Sequence, residues 1–136
     1  MSKDEISEIE TAISSGETFS SVNIHLNDAL KFLSDRENPN YRNSVKESIS
    51  SVESMCKILS NDAKATLAST LNNLEKTENL HPALKKAFSS LYGYTSDDGG
   101  IRHGLKNDDR EIDFHEAKFM LVVCSSFINY LKSKMK

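Results

Sequence analysis

The residues best suited to chemistry lie in one short stretch, Gly99-Gly100-Ile101-Arg102-His103-Gly104. Arginine presents a planar, permanently charged fork that matches a phosphate, and histidine exchanges protons near neutral pH. Together they suit metal-independent RNA cleavage. A ribose 2′-hydroxyl attacks the neighbouring phosphate, His103 acts as general acid or base, and Arg102 neutralises charge growing on the phosphoryl oxygens. Adjacent residues diverge by roughly 100° on a helix and roughly 180° on a strand, so they rarely aim at one atom. The flanking Gly99, Gly100 and Gly104 relax that limit, and a symmetric dimer would bring Arg102 of one subunit to His103 of the other. The competing reading is structural: Arg102 pairs with a carboxylate such as Glu47 or Glu53 and pins the segment, with Asn43 as further polar support, while His103 caps or packs.

Other templates are missing from the sequence. It contains no Gly-x-Ser-x-Gly, no phosphate-loop Gly-Lys-Ser/Thr, no His-Glu-x-x-His and no Cys-x-x-Cys, so hydrolase, nucleotide triphosphatase and zinc readings have no support. His115 and Glu116 are neighbours rather than one helical turn apart, a poor spacing for metal ligands. No metal and no cofactor is expected. Cys56 and Cys124 fall on apolar helical stripes and read as reduced core residues.

The elements that must position this stretch are helical. A first helix starts at Ser2, with Glu5 at capping-box spacing, and carries a thin stripe of Ile6, Ile9 and Ile13 before Ser14-Ser15-Gly16 ends it. Residues 1–19 are therefore expected to be a weakly anchored helix, a connector to an upstream domain or an arm that packs on a partner. Residues 20–136 form the single helical domain. Within it, Val22, Leu26, Ala29, Leu30 and Leu33 mark a second helix with His25 beside its apolar face. Asn38-Pro39-Asn40 breaks the chain, and Pro39 suits the first turn of a third helix. Tyr41, Val45, Ile49, Val52, Cys56 and Leu59 mark that helix, whose many serines permit close approach of a neighbour. A fourth is expected over 63–76, and a fifth opens at His81-Pro82 and carries Leu84, Phe88 and Leu91, with Tyr92 and Tyr94 near its end. The last, from about Asp113 with Glu116 three residues on, has a stripe of Phe114, Ala117, Leu121, Cys124, Ile128 and Leu131 and is expected to be central. The fold class is all-α, a compact bundle of about five to six helices.

At 136 residues, 38% hydrophobic and 27% charged, the chain is one domain's worth and can bury a core. No apolar run approaches the roughly 18 residues of a membrane span, and nothing near Met1 reads as a secretory signal, so a soluble cytoplasmic protein without membrane association is expected. A net charge of −3 and a pI of 5.8 argue against a broad basic face for nucleic acid and leave room for a local site.

Four segments carry a further signal: residues 38–53 (Asn38-Pro39-Asn40-Tyr41-Arg42-Asn43 through Glu53), His81-Pro82-Ala83-Leu84, Leu91-Tyr92-Gly93-Tyr94-Thr95 and Gly100-Ile101-Arg102-His103. Together they resemble the HEPN-like C-terminal domain of bacterial abortive-infection proteins of the AbiJ kind, over most of the chain beyond residue 20. The resemblance implies a helical bundle, a tendency to form a homodimer, a part in defence against phage and, in many members, RNase activity built around Arg-x4–6-His. Arg102 with His103 as its polar follower matches the start of that motif, but Asn107, Asp108 and Asp109 occupy positions for the second histidine. Arg110 and His115 satisfy Arg-x4-His literally, with Glu111 as the follower. Two functional expectations stand: an endoribonuclease or RNA-binding domain centred on Arg102 and His103, or a non-catalytic dimerisation and regulatory module for an effector or sensor domain outside this chain.

Overall fold

Helix starts in this chain are set by side chains that accept the first free backbone N–H groups. In the computed structural model, which describes residues 1–13, 16–96 and 111–135, Ser2 and Glu5 close a reciprocal capping box at the head of α1 (Lys3–Ala12). A 3₁₀ turn at Glu17–Phe19 leads into α2 (Ser20–Ser34). Asn40 caps α3 (Tyr41–Ser60) by accepting from the Asn43 N–H, so Pro39, expected in the first helical turn, sits one residue ahead of the cap. Asn61, in the left-handed region at φ 50°, ends α3. Asp62 holds the turn after it, and α4 (Leu67–Thr77) starts four residues later than expected because Thr66 and Ser69 form the capping box there. His81 Nδ1 accepts the Ala83 N–H at 3.0 Å, and Pro82 is the first residue of α5 (Pro82–Ser96), as its fixed φ favours. Asp113 caps α6 (Phe114–Lys132). Among the described residues all regular structure is helical and no helix is long and apolar enough to cross a membrane.

The helices form one bundle around α6, which buries Ala117, Met120, Leu121, Cys124, Phe127, Ile128 and Leu131. The most extensive contact is between α2 and α3, which run antiparallel: the Asn40 N–H reaches the Phe32 carbonyl, Ser44 reaches Ala29, and Glu47 reaches His25. Three serines of α3, Ser44, Ser48 and Ser51, are fully buried here. Ser48 and Ser51 return their hydroxyls to carbonyls of their own helix, while Ser44 Oγ donates across to Ala29 O at 2.7 Å. Small side chains bring the two backbones within a single hydroxyl's reach, so the expectation of close approach holds with α2 as the neighbour.

The first helix is better anchored than its thin stripe implies. Ile9 and Ala12 are buried against the core, and polar contacts fasten α1 to α6. Lys118 Nζ pairs with Glu5 at 3.1 Å, Asn129 donates to the Glu8 carbonyl and carboxylate, and Lys132 Nζ donates to Ala12 O at 2.7 Å. The last of these satisfies a carbonyl that the helix end leaves open. By contrast, α5 lies on the outside: its described side chains, residues 82–94, include none that is fully buried.

Candidate functional site

The end of α5 and the start of α6 meet alongside α3. Tyr94 donates its hydroxyl to Glu116 Oε2, and Tyr92 donates to Glu53 Oε2 at 2.8 Å. The Tyr41 and Phe114 rings stand 6.2 Å apart, and an open hollow of about 450 Å³ is lined by Pro39 to Arg42 on one side and Glu111 to Asp113 on the other. Residues 94 and 111, the last and first described side chains on either side of 97–110, are thereby tied to the same end of the bundle.

Glu116 is the chemically distinctive group at this junction. Its spacing from Asp113 fits a capping box, but its carboxylate turns away from the cap and takes the Tyr94 hydroxyl. Burial pushes its carboxyl above the ordinary carboxylate range, while the nearby Arg42 guanidinium pulls it the other way. A partly desolvated carboxylate, a phenol and a guanidinium side by side can hold and exchange protons and can grip a phosphate or a hydroxyl. Sequence reasoning misses Arg42 and the two tyrosine–carboxylate pairs as a site. The only signal for them is that Tyr92 and Tyr94 close one helix just as Glu116 opens the next.

Gly99, Gly100, Arg102, His103, Gly104 and Arg110 lie outside the described residues, as do Ser14 and Ser15. Of the remaining candidates, His115 is exposed on the first turn of α6, its ring 5.6 Å from that of Phe114. Asn43, Glu47 and Glu53 all fall on α3, yet they do not form one cluster. Glu47 faces α2, where its Oε2 meets His25 Nδ1 at 2.6 Å, and Glu53 faces α5 through Tyr92. The physical reason is helical geometry: six residues along a helix turn the side chain by about 120°, so Glu47 and Glu53 cannot share a face. The His25–Glu47 pair is half-buried and orients its imidazole as a carboxylate orients a general base. It joins residues 22 apart and is legible in the sequence only as a histidine beside an apolar face.

Cys56 and Cys124 are free and buried, and burial pushes their thiols up to about 11 and about 12, the state of inert core cysteines. Among the described residues no three His, Cys, Asp or Glu side chains are grouped to hold a metal ion. Comparison with protein-family models, with curated proteins and with solved structures gives no match.

Proposed function

We propose that this chain is a HEPN-like helical domain of a bacterial abortive-infection protein, acting on RNA without a metal through Arg102 and His103. The observation that carries this reading is the junction of α5 and α6. There the helices flanking the Gly-Gly-Ile-Arg-His-Gly stretch meet Arg42, Tyr94 and Glu116 at one end of an all-helical bundle. The described rim is acidic on balance, Arg42 standing against Glu111, Asp113 and Glu116, so phosphate recognition draws its positive charge from Arg102, Lys106 and Arg110.

Incubating purified protein with RNA tests it. Cleavage that survives chelation and is lost in the Arg102→Ala/His103→Ala double variant is the expected result. Equal cleavage by wild type and double variant moves the site elsewhere, with Arg110→Ala and His115→Ala as the next pair to assay. A wild type that neither cleaves nor binds RNA at low salt overturns the reading.

A second reading, a non-catalytic dimerisation and regulatory module, is favoured by the outer face of α6. Phe119 is 55% exposed there, with Val122 half-buried at helical spacing beside it. Light scattering of wild type and Phe119→Lys tests this face: a dimer that the substitution splits, in a protein that leaves RNA intact, supports the module, and a strict monomer removes it.

A further inference from the structure

Beneath α5 lies a partly open apolar hollow of about 30 Å³. Its floor is built mainly from buried side chains, among them Val52 of α3, Leu67 of α4 and Met120 of α6, and its roof from the half-buried Phe88, Leu91 and Tyr92 of α5. The lining is apolar, and the Tyr92 hydroxyl is directed to Glu53. The lining offers almost none of the two to four partners a water needs, so the space favours apolar contents. The roof is also the wall that gives way most easily. It is held by the Phe88 ring on Phe127 at 4.0 Å, by Tyr92 on Glu53 and by Lys85 on Glu75 at 2.9 Å, with no fully buried side chain among its described residues. Elements with few buried contacts open locally at the least cost.

We infer that this cavity is a binding site for a small neutral apolar ligand, a single ring or the end of an alkyl chain, admitted by outward movement of α5. The lining carries no charge, and its thiol, Cys124, is too weak a donor to hold a polar ligand. The tilted Phe88–Phe127 pair is a contact that an inserted ring can take over. The volume is smaller than a benzene molecule occupies, since engineered cavities that bind benzene are on the order of 150 Å³. Binding therefore requires α5 to shift, and binding is weak in proportion to the packing it gives up.

The four methionines supply the test. With ¹³C-methyl methionine in the full chain and benzene as the probe, Met120 lines the cavity, Met55 is buried elsewhere in the core, and Met1 and Met135 are exposed. A saturable shift of the Met120 methyl, with Met1, Met55 and Met135 unmoved, is expected. Val52→Ile, which fills the floor, should abolish the saturable shift while leaving the Met55 signal in place. Val52→Ala, which enlarges the space, should tighten binding several-fold and serves in its stead if the larger side chain prevents folding. A Met120 signal that stays still, or that drifts linearly in step with Met1 and Met135, overturns the inference. So does binding that is indifferent to the size of residue 52.

Discussion

Ser44 gives the sharpest handle on what holds the bundle together. Its side chain is fully buried where α2 and α3 are closest, and its hydroxyl donates to Ala29 O at 2.7 Å. Ser44→Ala removes one buried hydrogen bond, a loss of about 1 kcal/mol. Ser44→Val removes the same bond and pushes two methyl groups against the α2 backbone, where overpacking costs about 1–3 kcal/mol more. Unfolding entropy of about 2.1 cal/mol/K per residue makes 1 kcal/mol worth roughly 3–4 °C in a chain of this length. Thermal unfolding followed by circular dichroism should therefore show Tm lowered by about 3–4 °C in the alanine variant and by about 7–14 °C in the valine variant. The sign of the difference between the two variants is decisive. A generic apolar interface would reward valine with extra buried area, about 0.8 kcal/mol for each methylene-sized group. If Ser44→Val is as stable as Ser44→Ala or more so, the close-approach argument is wrong.

Three further outcomes are expected elsewhere in the bundle. Tyr92→Phe removes the donor to Glu53 and should lower stability by about 1 kcal/mol in denaturant unfolding, with helix content unchanged. The raised carboxyl of Glu116 means that the native state holds its proton more tightly than the unfolded chain, so this group's contribution is present at acid pH and is lost as pH rises through its folded value. Glu116→Gln keeps an acceptor for Tyr94, and its stability relative to wild type should rise between about pH 4 and pH 7; a relative stability that falls over that window contradicts the assignment. With both thiols buried and their ionisation pushed up, a disulfide reagent at mild pH should label native protein at least about 100-fold more slowly than urea-unfolded protein.

The features legible in the sequence are local ones. The Ser2–Glu5 box, Pro82 at the head of α5, the Asp113 cap and the stripe on α6 each rest on residues within a turn or two of one another, where spacing translates directly into geometry. The partners of Glu47, Glu53 and Glu116 are not legible in this way. Each carboxylate is met by a residue from another helix, His25, Tyr92 or Tyr94, and helix rotation decides which one. Apolar period alone starts α4 too early, because it runs on through a turn that Asn61 and Asp62 impose. The weak anchoring expected of α1 reflects its few isoleucines, whereas Glu5, Glu8 and the Ala12 carbonyl supply much of its attachment.

That attachment has a consequence for how the bundle assembles. The α2–α3 contact can form as soon as its own hairpin exists, since Ser44 and Ala29 are 15 positions apart. The surface that receives α1 is far more distant in the chain: Asn129 and Glu8 are separated by 121 positions, and the loop their meeting closes is correspondingly costly in entropy. During synthesis α1 thus waits, with Ile9 uncovered, until α6 has been made. Asp4, Glu5, Glu8 and Glu10 keep that waiting helix hydrated and repel a second copy of it. Docking then exchanges part of that charge for the cationic and amide groups of α6.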